Sequence, residues 1–185
     1  MALRVNIPEF SDFCFGVKRA ISLAEGALEK SAKPVFSLGP LIHNRQVVER
    51  LSKKGLKITG DFKKIKYGTI VICAHGTRPG IIKKIKKKKI NIVDTTCPYV
   101  KNAQRISERL SREGYTLIIT GDKGHPEVKS LMSFSGNKSA AVTTKNEAKR
   151  LKLGGSKIGV IAQTTQSSKN FLEVVSELLQ KEFDE

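Results

Sequence analysis

Cys14-Phe15-Gly16-Val17-Lys18-Arg19-Ala20 is answered 83 residues later by Cys97-Pro98-Tyr99-Val100-Lys101-Asn102-Ala103. The two stretches share the pattern C-x-x-V-K-x-A, and each opens a run with apolar residues at helical spacing. Two further landmarks follow each copy in the same order. Leu38-Gly-Pro-Leu-Ile-His43 places a histidine 29 residues after Cys14, and Thr120-Gly-Asp-Lys-Gly-His125 places one 28 residues after Cys97. A second polar group then closes each copy, at Cys73-Ala-His75-Gly76 and at Ala162-Gln-Thr164-Thr165. Three matches in order define a duplicated module, and a fixed period is the first thing that a fold assignment must satisfy.

Working outward, short β-branched runs alternate with amphipathic stretches, the pattern of stacked βαβ units and a parallel sheet. Strands are expected at residues 4–7, 35–38, 69–73, 91–93, 116–120 and 157–162. Helices are expected at 17–29, 45–53, 80–88, 100–112, 146–151 and 168–181. The fold class is therefore α/β, with a first parallel-sheet module over residues 1–94 and a second over 95–185. Several of these strands end in reactive residues, and open parallel sheets bind ligands beyond the carboxyl ends of their strands.

Composition narrows the function classes. The chain has 185 residues, 39% of them hydrophobic and 28% charged, enough to bury a core. No apolar run is long enough to span a bilayer, and residues 1–6 lack the apolar core of a secretory signal, so no membrane association and a cytoplasmic location are expected. Lys plus Arg number 34 against 17 Asp plus Glu, a net charge of +17 that attracts anions. Much of the excess is local, as in Lys83-Lys84-Ile85-Lys86-Lys87-Lys88-Lys89, which reads as the solvated face of a short helix. With no Trp, three Tyr and no aromatic residues interleaved among the basic ones, no nucleic-acid partner is expected.

Three cysteines with no C-x-x-C pair exclude a local zinc knuckle and a disulfide framework. They are core thiols or ligands that the fold assembles. Cys14 and Cys97 each stand at the start of a helix, where the dipole favours a thiolate. Two such thiolates brought together by related modules make a soft-metal or iron–sulfur site. His43, His75, His125 and Thr164 arrive at the same strand ends and offer donors for an anion, above all a phosphate. Glu127, two residues after His125, is a candidate proton donor beside such a centre. Cys73, on a strand, reads as a buried structural thiol.

The motifs Phe13-Cys-Phe-Gly-Val-Lys-Arg-Ala-Ile21, Gly39-Pro-Leu-Ile-His-Asn44, Ala74-His-Gly76, Asp94-Thr-Thr-Cys-Pro98, Gly124-His-Pro-Glu-Val128 and Gln163-Thr-Thr165 span nearly the whole chain. In that order they resemble the 4-hydroxy-3-methylbut-2-enyl diphosphate reductase family of the non-mevalonate isoprenoid pathway. The resemblance implies a trefoil of three α/β modules around a [4Fe–4S] cluster held by three cysteines. Its open iron takes the substrate hydroxyl, and ferredoxin or flavodoxin delivers the electrons. It also implies that Cys14 and Cys97 ligate the cluster, that His43, His75 and His125 hold the diphosphate, that Glu127 relays a proton, and that Thr164 assists at the substrate hydroxyl.

Against that family the third module is absent from the sequence, and with it the third cysteine ligand and a Ser-x-Asn element for the diphosphate. The expectation is an incomplete reductase, whether a fragment or split subunit, a degenerate frame or a shortened homolog, with a third-module polypeptide as one partner to test and Cys73 a poor substitute ligand. Lys129-Ser-Leu-Met-Ser133 also departs from the family's small-residue run. Two alternatives compete: a basic protein that binds RNA or another polyanion on the same scaffold without a cluster, and an assembly subunit that pairs through an open edge.

Overall fold

A computed structural model describes residues 6, 12–136, 138–153 and 157–181. Among these residues seven strands and seven α-helices follow one another, alternating except at β2 and β3: α1 (Phe15–Lys30), β1 (Val35–Leu38), α2 (Arg45–Lys53), β2 (Leu56–Thr59), β3 (Thr69–Ile72), α3 (Pro79–Lys87), β4 (Asn91–Asp94), α4 (Pro98–Arg112), β5 (Thr116–Thr120), α5 (Pro126–Phe134), β6 (Ser139–Val142), α6 (Lys145–Arg150), β7 (Ile158–Ala162) and α7 (Ser168–Leu179). One sheet has the order β2-β1-β3-β4 and the other β6-β5-β7. Every pairing is parallel. The expected α/β class with two related parallel sheets is what the chain adopts. Strand β1 answers to β5, β2 to β6 and β3 to β7, while β4 extends only the first sheet.

Each sheet is covered on both faces, which is why its central strand is apolar without alternation. Strand β3 is buried at all four positions. Its Val71 joins Ala20 and Ala24 of α1 and Leu51 of α2 on one face. Ile70 and Ile72 join Ile85 of α3 on the other. The second sheet repeats the scheme. Leu117 and Ile119 pack against Val128 and Leu131 of α5, and Ile118 packs against Ala148 of α6 and Val174 of α7. Each such Val, Leu or Ile side chain contributes about 1.5–3 kcal/mol by leaving water, and each Ala less.

Three elements depart from the sequence reading. Strands β2 and β6 form where no strand is expected, each of four residues at the outer edge of its sheet. Four residues are too few for periodicity to register, and Ser139-Ala-Ala-Val142 lacks β-branched bulk. Helix α5 forms where a loop is expected, with Pro126 in its first turn and His125 as its N-cap. The strand expected at 4–7 lies, apart from Asn6, outside the described residues. The lysine run is solvated as expected: Lys83, Lys84 and Lys86–Lys89 are exposed around buried Ile85. Lys88 donates instead to the carbonyls of Lys63 and Ile65, at 2.7 and 2.9 Å.

Candidate functional site

Parallel strands bring all their carboxyl ends to one side of a sheet, and the chemically able residues gather there. Cys14 is the N-cap of α1 and Cys97 the N-cap of α4, and neither sulfur caps its helix. Cys14 is exposed and Cys97 half-buried. The turn leading to Cys97 is pinned by Asp94, whose Oδ1 accepts from the Thr96 N–H at 2.9 Å and also from the Thr96 hydroxyl. Burial pushes the Asp94 carboxyl up, but hydrogen bonds from Lys101 and Thr96 outweigh that and hold it below its usual value. The Cys97 N–H donates to the Ala74 carbonyl at 2.9 Å, and the Ala74 N–H donates to the Leu41 carbonyl at 3.0 Å. One residue of the β3 exit thus ties the Cys97 turn to the loop that carries His43. Gly16 lets α1 approach this turn, since a Cβ there would stand 2.5 Å from the Cys97 sulfur.

The three histidines converge from three strand exits. Ring centroids are 4.2 Å apart for His43 and His75, 4.9 Å for His43 and His125, and 5.3 Å for His75 and His125. His75 is buried enough to titrate at about 4, first through loss of water and then through the neighbouring charges of His43 and His125. His125 is lowered as well, by burial and by His43, against the pull of Glu127 and Asp122. Imidazoles this close, though tilted rather than stacked, resist joint protonation because like charges repel.

One ligand atom from each ring lies within 4.8 Å of the others, close enough for a metal ion. The tautomer points the other way. His125 Nδ1 accepts the Glu127 N–H at 3.2 Å, so the proton of its neutral ring sits on Nε2. That Nε2 faces His43 Nε2 at 3.1 Å, and His43 must accept there. Metal-ligating histidines donate their second nitrogen to an acceptor; His125 instead receives, which leaves Nε2–H as a donor suited to an anion.

On the side of the second sheet, Glu127 is 2% exposed yet carries two hydrogen bonds. Its Oε1 accepts the Thr164 N–H at 2.7 Å and its Oε2 the Thr164 hydroxyl at 2.9 Å. The neighbouring loops are joined by Gln163, whose Oε1 accepts the Asp122 N–H at 3.1 Å while Nε2 donates to the Thr165 hydroxyl at 2.9 Å.

Cys14, Cys97, His43, His75, His125, Glu127 and Thr164 line one cavity of about 280 Å³. Seven positions scattered from 14 to 164 in the sequence thus meet in one chamber. Cys73 is not among its lining residues: the thiol is buried, pushed up by loss of water, and directed at the Gly76 carbonyl at 3.6 Å. The sequence reading missed Gly16, Asn44 and Thr165, which also line the chamber. Asn44 was legible as a capping residue ahead of α2, and its side chain accepts the Val47 N–H at 3.0 Å. A second, larger cavity of about 610 Å³ also borders the two thiols and is lined by Phe15, Tyr99, Ile106 and Ile161 among others.

The donor set suits an iron–sulfur cluster as far as it goes. Two sulfurs at helix starts border both cavities, and the glycine beside Cys97 leaves room at its sulfur.

The family model described as LytB protein matches residues 5–185. A 4-hydroxy-3-methylbut-2-enyl diphosphate reductase from Pelobacter propionicus is 42% identical over 179 residues, covering 97% of this chain and 63% of the relative. The enzyme of the same name from Geotalea uraniireducens is 42% identical with the same coverage. Among solved structures, the E-1-hydroxy-2-methyl-but-2-enyl-4-diphosphate reductase of Plasmodium falciparum superposes with a TM-score of 0.84 at 29% identity, over 90% of this chain and 53% of that one. A second reductase structure, described as the terminal enzyme of the non-mevalonate pathway, gives a TM-score of 0.76 at 39% identity, over 90% and 60%. The chain thus spans about 63% of the length of the curated relatives it matches.

Proposed function

The chain belongs to the LytB family, and from that premise we propose that it forms two of the three modules of a 4-hydroxy-3-methylbut-2-enyl diphosphate reductase acting in the cytoplasm. The reaction replaces an allylic hydroxyl by hydrogen: two electrons and two protons enter, the C–O bond breaks, and water leaves with isopentenyl or dimethylallyl diphosphate as product. Ferredoxin or flavodoxin would supply the electrons. The observation that carries this reading is the meeting of three imidazoles, a Glu127–Thr164 pair and two helix-starting thiols in one chamber.

Roles follow from the chemistry of each group. Cys14 and Cys97 would hold a [4Fe–4S] cluster, which when bound supplies electrons one at a time and an iron that accepts the hydroxyl oxygen. His43, His75 and His125 bind the diphosphate, with His125 Nε2–H exchanging its His43 acceptor for the anion and His75 gaining a proton as the anion enters. Glu127 relays a proton to the leaving oxygen by way of the Thr164 hydroxyl, which donates to Glu127 Oε2 at 2.9 Å and so already lies on that path. Buried placement of Glu127 keeps bulk water from competing for the proton.

The division at residues 94 and 95 belongs to the same proposal. Strand β4 pairs with β3 and ends at Asp94, three residues before Cys97. By the repeat, the outer edge of β7 is where a corresponding strand would pair, and among the described residues no strand occupies it. The exposed rings of Phe15 and Tyr99 beside that edge give a third module, carrying the third thiol, an apolar surface to cover. Iron and sulfide per chain after anaerobic reconstitution test the proposal, with and without a polypeptide that carries the third module. A stable cluster only in the mixture is expected. No iron–sulfur incorporation in either sample would sink it.

A further inference from the structure

Cys97 and His125 are the N-caps of helices α4 and α5, so the mutual register of the two helices sets where a thiol and an imidazole stand. The buried stripe of α4 is Val100, Gln104 and Ser107, two of them polar where an apolar residue is the rule. Gln104 is 8% exposed and Ser130 of α5 is 2% exposed. Gln104 Nε2 donates to Ser130 Oγ at 2.9 Å, and Ser130 Oγ donates onward to the Thr77 carbonyl at 3.4 Å. Gly76, between His75 and Thr77, has φ +76, and a Cβ there would come within 2.3 Å of Gln104 Nε2. The backbone that carries His75 therefore lies directly on the Gln104 amide.

We propose that Gln104 and Ser130 are positioning residues for the three-histidine site: their buried hydrogen bond fixes the register of α4, α5 and the His75 loop so that His75 and His125 meet. The proposal rests on the anion-binding reading of that site. Ser130 lies five residues beyond His125 and Gln104 seven beyond Cys97, about 8 and 10 Å down their helices. A single bond at those depths holds both helix starts in register with the strand exit between them. An apolar pair of the same volume would fill the space equally well. A buried polar pair differs in that it is satisfied in one alignment only, and slippage along the helices leaves both groups unpaired.

The test compares Gln104→Leu, Ser130→Ala and Ser130→Thr in the 185-residue chain. It measures NOE contacts among the three imidazole rings by NMR, pyrophosphate affinity by calorimetry, and helicity and Tm by circular dichroism. Gln104→Leu and Ser130→Ala are expected to weaken the ring contacts and to lower pyrophosphate affinity about tenfold at unchanged helicity. Ser130→Thr, which keeps the hydroxyl, is expected to retain both. Ring contacts unchanged in Gln104→Leu and Ser130→Ala overturn the proposal. So does a loss of contacts that only accompanies lower helicity, since that is the behaviour of any core residue. If the unaltered chain takes up no pyrophosphate, the anion reading fails, while the ring contacts still decide the register claim.

Discussion

The two sheets are built to one plan and equipped for different chemistry. Both have the order second-first-third strand, both are entered through a helix that starts at a cysteine, and both send a histidine into the chamber after the first strand. After that they diverge. The first module's third strand delivers His75, and the second's delivers Thr164. Two residues beyond His43 stands Arg45, exposed and paired with Glu49 at 2.7 Å; two beyond His125 stands Glu127, buried and bonded to Thr164. The shared plan sets where side chains arrive; on the proposed reading the three imidazoles of the anion site come from both modules, while the proton-handling pair Glu127 and Thr164 belongs to the second alone.

The comparison breaks most sharply at sulfur. Cys14→Ser and Cys97→Ser are each expected to abolish iron retention in the reconstituted mixture, because each deletes a proposed ligand. Cys73→Ser is expected to leave iron per chain unchanged, since that thiol points at a carbonyl away from the chamber. Equal iron loss in all three would show that the repeat does not distinguish ligand from core thiol.

His75→Thr gives the first module the strand exit of the second. Pyrophosphate affinity measured by calorimetry at pH 6 should fall roughly 10- to 100-fold, the worth of one charge-assisted hydrogen bond of about 1.5–3 kcal/mol. An unchanged affinity would mean that the anion is held elsewhere.

A smaller effect separates Glu127 from its counterpart. Glu127→Ala leaves the Thr164 N–H and hydroxyl without their acceptor and should lower stability by about 2 kcal/mol in urea unfolding. Arg45→Ala removes only an exposed i,i+4 pair and should cost under about 0.5 kcal/mol. Similar losses from the two would contradict the division of labour.

Most of the fold and the chamber could be read from the sequence because both are carried by long-range order that a period exposes. The central strands β1, β3 and β5 are mostly apolar, broken only by Ser37 and by threonines at strand ends, and the repeat of His and His or Thr marks where they lead. What escaped is what no pattern reports. Strands β2 and β6 have four residues each and owe their state to pairing with β1 and β5. Helix α5 was signalled by Pro126 in its first turn and by Val128, Leu131 and Met132 at helical spacing, but the motif Gly124-His-Pro-Glu-Val128 drew attention to chemistry instead. The tautomer of His125 and the bond between Gln104 and Ser130 depend on geometry at the scale of a single hydrogen bond, and spacing along a chain does not contain it.

The proposed anion site should also show itself through protons. His75 titrates at about 4 in the free protein against an ordinary value of 6.5, because the folded site strips water and sets other imidazoles beside it. The folded state therefore binds fewer protons than the unfolded chain between those values. Its contribution to stability is fully present above pH 6.5 and is lost as pH falls toward 4. A bound pyrophosphate reverses the preference, since its charge favours the protonated ring. Binding must then take up protons, and affinity should rise as pH falls from 8 to 5, by at most about tenfold per pH unit for each proton taken up. Calorimetry in two buffers of different ionisation enthalpy counts those protons directly. His75→Thr should lower the count. A count of zero in the unaltered chain, after correction for the protons of pyrophosphate itself, would mean that the imidazoles stay neutral and that the anion is held by N–H donors such as His125 Nε2 alone.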